Sequence, residues 1–137
     1  MTIVLDINPK VIPTAQHKGC NHKTGTVYTK ATVRRARKML TMMLLASGVR
    51  SAEHDGGWIM SVYFFYRPAQ FPRRLWGRPK TTKPDTENVL KLLKDAIEDS
   101  GIAFADDAQV FDEHTVKRYV ANPDTQPSVI IELEREP

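Results

Sequence analysis

The chain has 137 residues, of which 41% are hydrophobic and 26% charged, and a formal net charge of +4. That length suits one domain with its own hydrophobic core, and the composition favours an ordered globular fold over disorder. No apolar run nears the ~20 residues of a membrane span, the opening MTIVLDINPK lacks the pattern of a signal peptide, and one cysteine, Cys20, excludes an internal disulfide framework and fits a reducing cytoplasm.

Thr2–Ile7 predicts an opening strand, stopped by Asn8-Pro9. Lys10–Thr26 is polar and broken by Pro13, Gly19 and Gly25, which predicts a long loop with room for a short hairpin, and Val27–Thr29 predicts a brief extended piece. A helix follows from Lys30 to about Ser47. Val33, Leu40, Met43 and Leu44 fall on one face of it, Thr29 is placed to cap its start, and Gly48 suits its end. Trp58–Tyr66 is β-branched and aromatic, as a central strand should be. Arg67–Lys83 is rich in proline and predicts a loop. Thr86–Ser100 predicts a second helix with Val89, Leu93, Ala96 and Ile97 buried and Gly101 as its stop. Ala108–Val120 and Ser128–Glu134 predict two further strands joined by an Asn122-Pro123-Asp124 turn. The sum is an α/β fold, a single domain over residues 1–137 with a small mixed β-sheet packed against two helices.

The charge is unevenly divided. Met1–Pro84 carries 15 Lys+Arg against 3 Asp+Glu, and Asp85–Pro137 carries 5 against 13. A basic half attracts phosphate over long range, while an acidic half can hold cations. The acids gather at two places around the second helix. Asp85 and Glu87 stand at its mouth, and Asp106-Asp107 stand where the chain returns as a strand. Hard Mg²⁺ prefers carboxylate oxygens and keeps waters for a substrate phosphate, which makes these acids candidate metal ligands. Acids in a first helical turn also serve the helix dipole, and paired aspartates also make turns. Lys91 lies four residues after Glu87 on the same helix face, positioned either to neutralise charge on a cleaved phosphodiester or to form an ordinary pair worth about 0.3 kcal/mol. Asn88 can position a ligand or cap backbone groups, and Asp95 can support the site or the fold.

The run PDTENVLKLLKDAIEDSG followed by DDAQV resembles the RusA-type Holliday junction resolvases, a family common in bacteriophages and prophages. The pattern is an acid, any residue, an acid and Asn, then a Lys, an Asp, a helix-ending Gly and an Asp-Asp-x-Gln strand. Asp85, Glu87, Asn88, Lys91, Asp95, Gly101, Asp106, Asp107 and Gln109 supply it in order over about 30 residues. The resemblance implies that Asp85, Glu87 and Asp107 hold the metal, Mg²⁺ or else Mn²⁺, and that Lys91 is the essential lysine. It further implies a homodimer, whose two active sites cut paired strands of a four-way junction. Two positions depart from the pattern. Glu87 stands where the family usually has Asp, which would weaken or shift the metal site, and Pro84 stands where a basic residue is usual.

Arg67, Arg73, Arg74, Arg78, Lys80 and Lys83 lead into the acidic helix with Phe71, Leu75 and Trp76 among them. This reads as a DNA surface of phosphate-binding charges and stacking aromatics, or as a solvated loop whose Trp76 packs back on the body. Arg34, Arg35, Arg37 and Lys38 form a second cluster, either a DNA-tracking face or the wet side of a helix. Lys117 is expected to approach phosphate, as family members often carry a lysine there. His17, Cys20 and His22 lack a fourth ligand and the usual zinc spacing, so they read as a polar loop, and His114 reads as surface.

Together these features predict a Mg²⁺-dependent endodeoxyribonuclease, cytoplasmic and without a membrane span, that resolves four-way DNA junctions. Two competing readings are a less selective branched-DNA nuclease and a non-catalytic basic DNA-binding protein of the same fold. Unrelated phosphoester hydrolysis of a small molecule fits the basic loop least.

Overall fold

The computed structural model describes residues 1–14, 16–69 and 73–137. Phe71, one of the aromatics in the basic loop, lies outside the described residues. Among the described residues, six strands and two helices run in the order β1 (Thr2–Leu5), β2 (Lys18–Cys20), β3 (Val27–Thr29), α1 (Ala31–Ala46), β4 (Trp58–Tyr66), α2 (Glu87–Ser100), β5 (Val110–Tyr119) and β6 (Ser128–Arg135). The main sheet has the order β1-β6-β4-β5. Its β1–β6 and β6–β4 pairs are antiparallel and its β4–β5 pair is parallel. Parallel neighbours need a crossover connection, and here α2 provides it. The expected small mixed sheet with two helices is therefore the observed α/β fold.

Strict alternation along β4 decides which face is covered. Trp58, Met60, Val62, Phe64 and Tyr66 are buried, while the residues between them are only half-buried. The buried face joins Val33, Leu40 and Leu44 of α1, and Val89, Leu92, Leu93, Ala96 and Ile97 of α2, in one core with Ile131 and Leu133. The helices are also tied by charge. Arg37 donates through Nε and Nη2 to Asp99, and its Nη1 lies 3.6 Å from Asp95. Those hydrogen bonds hold the Asp99 carboxyl below its ordinary pKa and the Arg37 guanidinium above its own. Arg37 thus belongs to the helix–helix seam, whereas its neighbours Arg34, Arg35 and Lys38 are exposed.

Several boundaries differ from expectation for local reasons. The first strand ends at Leu5. The polar loop does contain a hairpin, β2 with β3. Thr29 does not cap α1, because the capping position falls on Lys30 without a side-chain hydrogen bond. The Thr29 hydroxyl instead accepts from Lys18 Nζ at 2.7 Å. The strand expected from Ala108 begins at Val110, since Asp107–Gln109 form a 3-10 turn. The final turn is as expected, with Asn122 Oδ1 accepting from the backbone of Asp124 and Thr125.

Gly101 ends α2 in the left-handed region at φ 66°, with both cap bonds reaching back to Ile97 and Glu98. A Cβ there would meet nothing within 4 Å. Gly101→Ala should therefore cost only the backbone strain of that conformation, about 1 kcal/mol, visible as a lower midpoint in urea with an unchanged slope.

Candidate active site

The first helical turn of α2 and the 3-10 turn before β5 face each other across a cleft of about 550 Å³. Glu87, Asn88, Lys91 and Lys94 line it from α2, Asp107 and Glu113 from the returning chain, and Gln16, His17 and Lys18 from the N-terminal loop. Glu87 and Asn88 also line an adjoining cleft of about 540 Å³, which contains Asp85, Lys83, Pro84 and Lys10. The structure thus brings Glu87, Lys91 and Asp107 to one cleft and sets Asp85 in the next, with Glu87 and Asn88 as the shared wall.

Asn88, Lys94 and Asp95 are each held by a contact to another element. Asn88 Nδ2 donates to the Thr14 carbonyl at 2.9 Å, so its amide ties the start of α2 to the N-terminal loop. Lys91 is exposed and has no ion pair within 4.0 Å among the described residues, so the ordinary pair with Glu87 is not formed. Lys94 pairs with Glu113 at 3.0 Å across the cleft floor. Asp95 faces Arg37 on the helix–helix seam and lines neither cleft.

The Asp106–Gln109 turn explains why those residue types occur at that spacing. Asp106 Oδ1 accepts from the Ala108 amide, and Gln109 Oε1 accepts from the amides of Ala105 and Asp106. This is a capping box, which engages Asp106 Oδ1 with the backbone and leaves Asp107 exposed. Gln109 Nε2 also reaches the carbonyls of His54 and Gly56, anchoring the turn to the body.

Two residues at the site carried no sequence signal of their role. Glu98, near the end of α2, accepts the Asp107 amide. Glu98, Asp106 and Asp107 offer carboxylate oxygens that all lie within 4.8 Å of one another. Burial pushes the Glu98 carboxyl above its ordinary pKa, the Asp107 N–H opposes this, and the charges of Asp107, Asp95 and Asp106 reinforce it. Three hard oxygen donors at this spacing suit a divalent cation. Asp85 and Glu87 are not in that group, and Asp107 is the residue common to it and to the expected ligand set. The second residue is His17, which sequence assigned to a polar loop. It is only 5% exposed, and its buried Nε2 has no partner among the described residues. Nothing local in a lone histidine between polar residues signals such burial.

The charges of the basic loop differ in their exposure and contacts. Arg73, Arg74, Arg78 and Lys83 are exposed. Lys80 lies over the rings of Tyr66 and Tyr119, 5.3 and 5.1 Å from their centroids. Arg67 is half-buried and reaches the carbonyls of Pro123 and Thr125. Trp76 and Leu75 are half-buried. His114 is exposed on the sheet, 3.0 Å from Asp112.

The family model for endodeoxyribonuclease RusA matches residues 8–134. The chain belongs to the RusA endodeoxyribonuclease family. The match spans both clefts, the basic loop and the main sheet apart from β1 and the last residue of β6. No curated protein matches the chain at a significant level. As a RusA-family endodeoxyribonuclease the chain is a nuclease by descent, which fits carboxylates and lysines lining a cleft beside exposed arginines. Among the described residues no helix is long and apolar enough to cross a membrane.

Proposed function

We propose that this protein is a divalent-metal-dependent endonuclease that resolves four-way DNA junctions by paired cuts. The observation that carries the reading is the convergence of Glu87, Lys91 and Asp107 on one cleft of a RusA-family chain, with Asp85 across the shared wall. The donor set is all carboxylate, which fits Mg²⁺ or Mn²⁺, and Asp85, Glu87 and Asp107 would hold it. When bound, such a cation supplies positive charge at the scissile phosphate and makes water acidic enough to attack at neutral pH. Lys91, unpaired beside Glu87, is placed to offset charge that develops on the phosphate. Asn88 holds the helix start in place through Thr14. Asp106 and Gln109 do the same for the turn that carries Asp107.

Exposed Arg73, Arg74, Arg78 and Lys83 supply the phosphate contacts, with Lys80 and Arg67 alongside them. Affinity for DNA should therefore fall steeply as salt rises. The working unit is a homodimer, since two-fold symmetry presents two active sites to paired strands. A reducing cytoplasm suits the exposed thiol of Cys20.

The deciding experiment is cleavage of an end-labelled synthetic four-way junction, with linear duplex as control, in Mg²⁺ and in EDTA. Paired symmetric nicks near the branch point, dependent on metal and absent from the linear duplex, are expected. Cutting of every branched and linear substrate would leave a nuclease of looser selectivity. Tight junction binding without cleavage in either metal would point to the non-catalytic alternative.

A further inference from the structure

Lys117 was expected at a DNA phosphate, yet its ammonium is engaged elsewhere. It sits on the helix-facing side of β5, opposite Phe64 of β4, and is half-buried. Its Nζ donates to the carbonyl oxygens of Thr82, at 2.8 Å, and Pro84, at 3.0 Å. An ammonium has three donors, and two of them are committed to these carbonyls. A half-buried charge so held is well satisfied and has little reason to leave for solvent-exposed phosphate.

The position of those carbonyls gives the contact its meaning. Pro84 is bonded directly to Asp85, and Glu87 follows two residues later. Upstream, the strand edge grips the same segment. Lys80 N donates to the Lys117 carbonyl at 2.9 Å, Tyr119 N donates to the Arg78 carbonyl at 3.0 Å, and Arg118 donates to the Gly77 carbonyl. Lys80 Nζ adds a bond to the Thr82 hydroxyl. Those bonds end at Thr82. Among the described residues, Lys117 alone carries the attachment on to Pro84, at the last carbonyl before the acidic residues. A loop carboxylate held this way meets a cation already oriented, whereas a free one must be ordered on binding.

We infer that Lys117 is a positioning residue, which fixes the Thr82–Pro84 backbone and so presents Asp85 for metal binding. The inference rests on the proposed reading of Asp85 as a ligand. It differs from a DNA-contact role in what a substitution should change. Lys117→Met keeps the length and removes both bonds. It should weaken Mn²⁺ binding to the free protein, measured by titration calorimetry, about 10-fold. Amide exchange at Thr82, Lys83 and Asp85–Glu87 should rise several-fold, with the rest of α2 unchanged. Binding of a four-way junction in EDTA should stay within about two-fold of the parent, and excess Mg²⁺ should restore cleavage. Lys117→Arg, which retains donors and charge, should recover part of the Mn²⁺ affinity.

Unchanged Mn²⁺ affinity and unchanged exchange would overturn the inference. Loss of junction binding at unchanged Mn²⁺ affinity would overturn it too, by making Lys117 a phosphate contact. A lower unfolding midpoint with neither other change would mark Lys117 as merely structural and overturn it likewise. Should the parent itself bind no Mn²⁺, the metal reading of the site fails. The exchange rates then decide by themselves whether Lys117 orders this loop, and unchanged rates overturn it.

Discussion

Asp85→Asn should reduce metal-dependent cleavage of a four-way junction by roughly 10²–10³-fold while leaving the protein folded and bound to the junction. The magnitude follows from the several kcal/mol that a bound cation contributes to transition-state charge, at about 1.4 kcal/mol for each factor of ten. The sign of the binding change is separately informative. The substitution removes one negative charge facing a polyanion, so junction affinity in EDTA should rise slightly. Asp85 is exposed and lies outside the capping bonds of α2, so stability should move by no more than about 0.5 kcal/mol. Single-turnover cleavage, EDTA binding and urea unfolding of one variant separate loss of a ligand from loss of fold.

Asp107→Asn should behave alike, and the comparison with Glu98→Gln decides how the acids divide the work. Asp107 lines the cleft with Glu87 but also shares the 4.8 Å group with Glu98 and Asp106. If the cation sits between the two helix-flanking turns, Asp85→Asn and Asp107→Asn are both severe and Glu98→Gln is mild. Severe loss with Glu98→Gln and normal activity with Asp85→Asn would move the centre to the far side of Asp107 and sink the assignment of Asp85.

Parts of this molecule were legible because their determinants are local. α2 could be read almost to the residue, since a 3.6-residue apolar period, a glycine at its end and acids at its start all sit within one short stretch. β4 could be read from its β-branched and aromatic content, while the alternation of its burial emerged only with the fold. The Asp-Asp-x-Gln run could be recognised, and its reason is local too, because Asp106 and Gln109 close a capping box over three residues. That same closure explains the misplaced start of β5. A turn bonded by side chains competes with the ladder for the backbone of Asp107–Gln109, and the side chains win.

What escaped reading is non-local. Glu98 on a helix end looks like a solvated acid, and only the return of the chain over α2 puts the Asp107 amide against it. Arg37 looks like one of four equivalent cations, and only the pairing of α1 with α2 sets it against Asp99, 62 residues away. Lys117 meets Pro84 because the β4–β5 register and the loop path converge, and neither is written in the residues beside it. The burial of His17 is of the same kind. For Glu98, Arg37 and Lys117 the partner lies in another element, and for His17 the burial itself comes from another part of the chain.

Phe104→Ala should be the most destabilising of the changes considered, at about 3–5 kcal/mol, the usual cost of emptying a buried phenylalanine site. Phe104 is fully buried, and it stands between the Gly101 stop and the Asp106 cap. Ile102 beside it is also buried, and its carbonyl accepts from the Ser51 amide at 2.7 Å. The connection from α2 to β5 is therefore pinned from within by Phe104 and from its flank by Gln109. A domain stable by about 5–15 kcal/mol would lose a large share of that, measured as a shift of the urea midpoint. Phe104→Leu, which refills most of the volume, should cost far less. The functional consequence separates anchoring from bulk stability. Under conditions where Phe104→Ala remains folded, Asp107 loses the footing of its turn, so Mn²⁺ affinity should fall while junction binding through the arginine loop persists. A cost below about 1 kcal/mol would mean that the connection is not held by its core, and that the presentation of Asp107 depends on the capping box instead.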